Sequence, residues 1–266
     1  MRINGAELHV EDTGGAGPAI VFSHGLLWST AMWRSQVEAF RGRHRCIAYD
    51  HRGQGRSEVT ASGYDMDTLA EDAAALIGQL DAAPAHFVGL SMGGFVGMRL
   101  AARRRELLRS LVLMDTASDS EPWRNLPRYA AMNFLTRFVG AGPFVPAVMK
   151  IMFARPFRQD PHRAGLREGM AREILCNDVT GMRRAVNGVM SRKPLSAEEL
   201  ARIEAPTLVI SGAEDSAIVP ERSMRTAARI RGARFLGVPR AGHTAAVEEP
   251  EAVNRALREF WDSLPQ

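Results

Sequence analysis

The chain has 266 residues, 45% of them hydrophobic, so it is long enough to bury a full core as one domain, or as one domain with an insertion. Its formal net charge is +4, and Lys150 and Lys193 are the only lysines among its 34 basic residues. Because the arginines are spread along the chain and no stripe interleaves basic with aromatic residues, we expect no nucleic-acid partner.

The first half of the chain alternates between strand and helix patterns. The continuous apolar run 19–23 is typical of a central strand in a parallel sheet, and residues 67–80 carry one apolar face at helical spacing. Strict alternation predicts a parallel sheet with right-handed crossovers and helices on both faces. The predicted strands are 6–12, 19–23, 45–49, 85–88 and 111–114, and the predicted helices between them include 29–40 and 67–80.

Residues 117–195 interrupt this alternation. They contain no strand-like run and read as helical segments rich in aromatic residues and methionine. Strands are predicted again at 206–211 and 234–238, followed by a last helix at 250–264. We interpret 117–195 as a helical cap, or lid, inserted in an α/β core that residues 1–116 and 196–266 form.

A Gly-x-Ser-x-Gly motif lies where the 85–88 strand passes into a helix, at Gly89-Leu90-Ser91-Met92-Gly93. In this context the motif is typical of a nucleophile elbow, a strained turn that holds the serine hydroxyl above the sheet edge. Glycine is needed on both sides because a Cβ there would collide with the neighbouring strand or helix. The helix that follows directs its first amides, including that of Met92, to the place where an oxyanion would form.

A serine hydroxyl needs a base within hydrogen-bond reach, and His243 is the candidate. It lies in the loop after the 234–238 strand, and loops at the carboxyl ends of parallel strands meet at one edge of the sheet. The remaining histidines fall on predicted strands, turns, loops or the lid surface, and we assign them structural roles: His9, His24, His44, His51, His86 and His162.

The base needs a carboxylate to orient it, and Asp215 is the first choice. It follows the 206–211 strand and precedes a helix start at Val219-Pro220. The chain order Ser, Asp, His is the order found in sites built on such an elbow. Asp115, at the end of the 111–114 strand, is the alternative acid.

The second oxyanion donor should come from the loop after the 19–23 strand. We assign it to the backbone amide of Leu26, with the amide of Leu27 as fallback, and Met92 supplies the first donor. Five apolar side chains are expected to line the substrate pocket: Leu27, Trp28, Trp123, Phe134 and Phe138.

Residues 1–7 lack the apolar segment of a secretory signal, and no stretch is long enough to cross a bilayer. Cys46 and Cys176 lie far apart in the sequence, which favours buried free thiols in a reducing compartment. We therefore expect a cytoplasmic protein without a membrane partner, and a homo-oligomer remains open.

Together these motifs resemble the α/β-hydrolase superfamily. Within it the chain looks most similar to the group of 3-oxoadipate enol-lactonases, aryl esterases and cofactor-free haloperoxidases (perhydrolases). Ser91 excludes epoxide hydrolases and haloalkane dehalogenases, which carry Asp at the elbow. The matching segments are Ser23-His24-Gly25, Asp50-His51-Arg52-Gly53-Gln54-Gly55-Arg56-Ser57, Gly89-Leu90-Ser91-Met92-Gly93-Gly94, Gly212-Ala213-Glu214-Asp215 and Ala241-Gly242-His243.

The resemblance implies a serine hydrolase that cleaves a small carboxylic ester or lactone through an acyl-enzyme on Ser91, without a metal or an organic cofactor. Three alternatives stay open. The substrate could be an enol-lactone whose carboxylate is bound by Arg124, Arg128 or Arg137 of the lid. Peroxide could replace water in a perhydrolase, or the chain could be a ligand receptor on the same fold.

Overall fold

A seven-stranded sheet forms the centre of the molecule in the computed structural model, which describes residues 1–264. Two short strands near the amino terminus form a separate ribbon. In chain order the strands are β1 (Arg2–Ile3), β2 (Ala6–Glu7), β3 (Val10–Asp12), β4 (Ala19–Ser23), β5 (Arg45–Tyr49), β6 (Ala85–Leu90), β7 (Leu108–Met114), β8 (Thr207–Gly212) and β9 (Arg234–Val238).

Twelve α-helices lie within the described residues, and none of them has both the length and the apolar character needed to span a membrane. They are α1 (Arg34–Phe40), α2 (Met66–Gln79), α3 (Met92–Arg103), α4 (Leu126–Val139), α5 (Val145–Met152), α6 (Arg155–Gln159), α7 (Ala164–Cys176), α8 (Val179–Met190), α9 (Ala197–Ala201), α10 (Pro220–Arg229), α11 (Ala245–Glu248) and α12 (Pro250–Asp262). The 3-10 helices are Thr30–Trp33, Arg105–Leu107, Gly142–Phe144 and Pro161–Arg163.

The strand order in the large sheet is β3-β5-β4-β6-β7-β8-β9, and only the β3–β5 pair is antiparallel. Alternate residues of β4 face opposite sides, with Val21 in one apolar core and Ile20 and Phe22 in the other. The predicted α/β-hydrolase fold, a mostly parallel sheet with helices packed on it, is confirmed. Its parallel strands bring the ends of β6, β8 and β9 to one edge.

Several predicted boundaries are correct, since β4, β5 and β9 have the predicted limits. The single early strand 6–12 is wrong. Its first part, β2, pairs with β1 in the ribbon, and its last part, β3, pairs with β5. The predicted helix 29–40 begins as a 3-10 turn that the Ser29 hydroxyl caps by accepting from the Ala31 amide.

Between β7 and β8 the described chain has helices α4 to α9 and no strand. Side chains from α5, α6, α7 and α8 belong to the same apolar core as Ile20 and Phe22 of β4. The helical block therefore shares the core of the sheet. The division into a core of 1–116 and 196–266 and a lid of 117–195 stays a prediction.

The two cysteines differ in their surroundings. Both are free thiols, and Cys46 is buried in β5 as expected. Cys176 is exposed, because it ends α7 on the side that faces solvent. The expectation of two buried thiols is therefore wrong for Cys176.

His86 of β6 leads to a prediction about acid stability. Its Nδ1 lies 2.7 Å from the Ser110 hydroxyl, and its ring packs near His44. Burial lowers the pKa of His86 to about 3, whereas the unfolded ring titrates near the usual value of about 6.5. Folding thus favours the neutral ring, and the free energy of unfolding falls as the pH drops below the unfolded pKa, with about 2 kcal/mol lost at roughly pH 5.

We expect His86→Gln to flatten the pH dependence of the free energy of unfolding between neutral and mildly acidic pH, as measured by urea titration. His162→Gln, a change at an exposed histidine, is the matched control and should leave that dependence as in the parent chain. Equal pH dependence of the His86→Gln variant and the parent would contradict the assignment.

Candidate active site

Ser91 occupies the turn between β6 and α3. Its backbone has φ +53° and ψ −108°, a conformation that costs free energy for a residue with a side chain. The turn is tight enough to require glycine on both sides. A Cβ on Gly93 would lie 2.1 Å from the Ser23 carbonyl oxygen, and one on Gly89 would lie 2.3 Å from the Gly93 carbonyl oxygen. This crowding matches the elbow predicted from the sequence.

The structure brings Ser91, His243 and Asp215 together. His243 Nε2 lies 2.8 Å from Ser91 Oγ, and its Nδ1 lies 2.8 Å from Asp215 Oδ2. All three side chains are buried. The imidazole therefore bridges hydroxyl and carboxylate in one hydrogen-bonded chain, the arrangement that converts a serine into a nucleophile.

Backbone amides fix the carboxylate of Asp215. Its second oxygen, Oδ1, accepts hydrogen bonds from the amides of Ala217 and Ile218 at 2.8 and 3.0 Å. With both oxygens engaged, the carboxylate has one orientation towards His243.

Asp115, the alternative acid, does not bond to the imidazole. Its carboxylate accepts from the amide of Gly212 at 2.7 Å and from the amide of Ala245 at 3.3 Å. These amides lie at the end of β8 and at the start of α11, next to the loops that carry Asp215 and His243. Asp115 therefore supports both loops through their backbone.

Burial and the neighbouring Asp215 carboxylate shift the pKa of His243 in opposite directions. Burial of the ring opposes protonation, but the Asp215 carboxylate outweighs it and raises the pKa of His243 above its usual value. The pKa of Asp115 moves in the direction expected for a buried acid, since burial, with repulsion from Asp215, raises it to about 8.

Glu248 supports the His243 loop from the other side. It is fully buried, and its Oε1 accepts from the amides of Gly242 and Thr244, which flank His243, at 2.9 and 3.2 Å. Its Oε2 accepts from the amide of Ala154 at 2.7 Å. One carboxylate thus ties the histidine loop to the helical block.

Gln54 and Asn177 hold the loop after β4. The Leu27 amide donates to Gln54 Oε1 at 2.7 Å, and Gln54 Nε2 lies 3.8 Å from Met92 Sδ. The Asn177 side-chain amide donates to the Leu27 carbonyl at 3.0 Å. The Leu27 amide, the fallback oxyanion donor, is therefore already engaged. Within residues 1–264 the amides of Leu26 and Met92 have no hydrogen-bond acceptor, so both can donate to a ligand.

Two further histidines support the same loop. His51 Nε2 lies 2.9 Å from Ser23 Oγ, and the His51 amide donates to His24 Nε2 at 2.9 Å. His24 Nδ1 lies 2.7 Å from the Gly25 carbonyl, so it carries the proton. Burial lowers the pKa of both rings, and both serve as neutral hydrogen-bonding groups rather than as bases.

A largely apolar cavity adjoins Ser91 and His243. Leu26 and Leu27 line it near the elbow, and α4, α5 and α8 supply most of the opposite wall. Its charged lining residues, Glu121 and Arg192, are bonded to each other at 3.2 Å. Among residues 1–264 no cluster of three His, Cys, Asp or Glu side chains is arranged to hold a metal ion.

Four of the five predicted pocket residues do not line this cavity. Leu27 lines it, but Trp28 is buried against Phe153. Trp123, before α4, is exposed. Phe134 and Phe138 are exposed because α4 turns the opposite side of the helix towards the cavity. Their assignment to the pocket is therefore wrong.

Three features of the site were not predicted from the sequence: Gln54, Glu248 and the Glu121–Arg192 pair. Gln54 lies in the glycine-rich motif 50–57, and Glu248 lies five positions after His243. Neither spacing identifies a role, because glutamine and glutamate are usually exposed. Their burial depends on backbone amides that the fold brings from distant segments.

The chain matches the family described as alpha/beta hydrolase fold over residues 18–250. It is 33% identical over 257 residues to a Mycobacterium tuberculosis protein named as a non-heme bromoperoxidase, BpoC, covering 95% of this chain and 97% of the relative. The enol-lactonase structure from Burkholderia xenovorans LB400 is 29% identical, with a TM-score of 0.90 and 99% of each chain covered. A thermophilic esterase from Thermogutta terrifontis is 30% identical, with a TM-score of 0.88, covering 97% of this chain and 93% of the esterase.

Glu248→Gln tests how the histidine loop is held. One carboxylate oxygen becomes an NH₂ group that cannot accept from an amide, so at least one buried N–H loses its acceptor. Such a loss costs about 1–3 kcal/mol, and we expect the thermal midpoint to fall by about 2–12 °C for a chain of this length.

The matched control is Glu249→Gln. Glu249 is partly exposed and forms longer ion pairs with Arg163 and Arg240, at 3.6 and 3.9 Å, which contribute little. Equal falls in the thermal midpoint for the two variants would contradict the role given to Glu248.

Proposed function

Since this chain belongs to the α/β-hydrolase family, we propose that it hydrolyses carboxylic esters or lactones with Ser91 as nucleophile, His243 as general base and Asp215 as the orienting acid. The observation that carries the proposal is the hydrogen-bonded chain from Ser91 Oγ through the imidazole to Asp215, with 2.8 Å at each step. The strained backbone of Ser91 supports it, because such strain is typical of a nucleophile elbow.

In the acylation step, Ser91 Oγ attacks the carbonyl carbon while His243 Nε2 takes the hydroxyl proton. The amides of Leu26 and Met92 donate to the oxyanion of the tetrahedral intermediate, and one such donor is worth about 3 kcal/mol of barrier. His243 then gives the proton to the departing alkoxide oxygen. The acyl group remains as an ester on Ser91.

In the deacylation step, water attacks the acyl carbon and His243 takes its proton. Collapse of the second tetrahedral intermediate breaks the bond to Ser91 Oγ, which recovers the proton from His243, and the carboxylic acid leaves. Asp215 holds the tautomer of His243 and stabilises the imidazolium without becoming protonated. The chemistry needs no metal or organic cofactor.

The cavity favours a neutral substrate. Arg192 lies in its wall, but the guanidinium is paired with Glu121 and lies over the Phe95 ring at 4.2 Å. Arg124, Arg128 and Arg137, the lid arginines considered for a substrate carboxylate, are exposed and do not line the cavity. A carboxylate in this cavity would therefore lose its hydration without gaining an unpaired cation. We place neutral esters and lactones ahead of acidic enol-lactones.

The likeness to the enol-lactonase structure supports lactones as one of the two proposed substrate classes. One other enzymatic activity would use the same site. The similarity to the protein named as a bromoperoxidase favours perhydrolysis, in which peroxide attacks the acyl-enzyme in place of water and a peracid leaves. A ligand receptor would bind the same compounds without turnover, so sustained hydrolysis by the purified chain separates it from an enzyme.

Asp215→Asn and Asp115→Asn distinguish the two candidate acids. We expect Asp215→Asn to lower kcat for p-nitrophenyl butyrate by roughly 10³–10⁴, because the imidazole loses its orienting acceptor. Asp115→Asn keeps one oxygen for a backbone amide and should lower kcat far less. Ser91→Ala sets the background rate. A larger loss in Asp115→Asn than in Asp215→Asn would transfer the acid role, and full activity of Ser91→Ala would end the proposal.

A pair of esters tests the charge preference. We expect kcat/KM for p-nitrophenyl butyrate to exceed that for the p-nitrophenyl monoester of succinate by at least about tenfold, which corresponds to roughly 1.4 kcal/mol. Glu121→Gln removes the carboxylate that pairs with Arg192, and it should bring the kcat/KM values of the two esters closer together. Arg124→Ala, at an exposed position, should leave the difference unchanged. A preference for the acidic ester would favour the enol-lactonase alternative.

A further inference from the structure

Helix α4 and the residues before it carry an unusual outer surface. The four most exposed large apolar side chains of the described residues all lie here: Trp123 at 77%, Phe138 at 66%, Phe134 at 57% and Val139 at 55%. Leu135 beside them is also exposed. We call this surface the lid face and define it by its apolar side chains: Trp123, Phe134, Leu135, Phe138 and Val139.

Two uncharged polar residues of α4 point the opposite way. Asn133 and Thr136 are buried, whereas a helix on a globular protein normally buries its apolar side. The Asn133 side chain donates to Asn187 Oδ1 at 2.7 Å, and Arg183 Nε donates to the Asn133 carbonyl at 2.7 Å. Rotating the apolar side inward would break these bonds to α8. The outward position of the lid face is therefore built into the packing.

The charged residues within 123–139 are all positive. Arg124, Arg128 and Arg137 are exposed, and none forms an ion pair with an acidic group of residues 1–264. Helix α4 itself contains no acidic residue. Arg137 lies 5.9 Å from the centroid of the Phe138 ring, so charge and aromatic surface are adjacent.

We infer that the lid face docks on an anionic lipid surface. Aromatic and aliphatic side chains on one helix face can enter the boundary between head groups and acyl chains, while flanking arginines reach the phosphates. This differs from the expectation of no membrane partner, which rested on the lack of a spanning segment. A helix that lies on a bilayer needs no such segment.

A second copy of the chain fits this surface less well. A two-fold dimer through the lid face would place the same three arginines near one another, and α4 offers no carboxylate to compensate them. An acidic protein partner would satisfy the charges, and the experiment below separates it from a bilayer.

Docking would also place the substrate cavity beside the membrane. The inner side of α4 lines that cavity through Met132, Asn133 and Thr136. Apolar esters dissolved in the bilayer would then be presented at the lid. This last step rests on the proposed function, whereas the docking itself does not.

Trp123 supplies the readout. Of the four tryptophans, Trp28, Trp33 and Trp261 are buried, so changes at the surface are reported by Trp123. We expect vesicles of phosphatidylglycerol and phosphatidylcholine in equal parts to shift its emission to the blue and protect it from acrylamide. Pure phosphatidylcholine vesicles should have little effect. Equal binding to both vesicles, or binding to neither, would overturn the inference.

Two sets of variants identify the surface. Arg124→Gln, Arg128→Gln and Arg137→Gln combined should weaken partition into the anionic vesicles about 100-fold, since each basic residue at such a surface is worth about a fivefold change. The combined change Phe134→Ser and Phe138→Ser should also abolish the blue shift. The charge-matched control replaces by Gln three exposed arginines elsewhere: Arg202, Arg229 and Arg231. Its partition into the anionic vesicles should weaken far less. Equal losses in the two triple variants would overturn the inference.

The remaining outcomes also decide the question. Self-association in sedimentation that the Phe134→Ser, Phe138→Ser variant abolishes would assign the lid face to a second copy and overturn the membrane inference. So would tight binding to poly-glutamate with no response to anionic vesicles. Circular dichroism and thermal unfolding confirm that the variants fold. Failure of ester hydrolysis would end the proposed function without changing the vesicle result.

Discussion

Two buried carboxylates that contact no nucleophile hold the site together. Asp115 accepts from the amides of Gly212 and Ala245, and Glu248 accepts from amides on both sides of His243 and from Ala154. Burial is the largest influence on each and raises the pKa values, to about 8 for Asp115 and about 7 for Glu248. The positions of the loops that carry Asp215 and His243 thus depend on two acid groups whose ionised forms are costly to bury, and the backbone hydrogen bonds offset part of that cost.

The side of the site proposed to bind the oxyanion relies on neutral groups instead. Gln54 and Asn177 bond to opposite sides of Leu27, through its amide and its carbonyl. Leu27 itself has φ +74°, so its backbone is held in an unfavourable conformation. Because Asn177 belongs to the helical block and Gln54 to the β5 loop, the position of Leu26 depends on both. The helical block therefore takes part in building the site as well as in covering it.

The sheet and the hydrogen-bonded group of Ser91, His243 and Asp215 could be predicted from the sequence. Their signals are short stretches of sequence and the order of residues along the chain. Apolar runs mark β4 and β5, and the chain order of Ser91, Asp215 and His243 follows from which strand each loop ends. The pocket could not be predicted, because the orientation of α4 is decided by tertiary bonds. From the sequence alone, the aromatic residues of α4 predict a side that faces the cavity. In the structure the bond from Asn133 to Asn187 of α8 turns that side outward.

The two sides of α4 are consequently not independent. The bonds that Asn133 makes to Asn187 and Arg183 set which residues line the cavity and, by the same rotation, which residues face outward. A rotation that placed Phe134 and Phe138 in the cavity would turn Asn133 away from α8 and break its bonds to Asn187 and Arg183. A buried polar group that loses its partner costs about 1–3 kcal/mol, so these bonds oppose the rotation. The apolar surface of α4 therefore faces outward because its polar side forms part of the cavity wall.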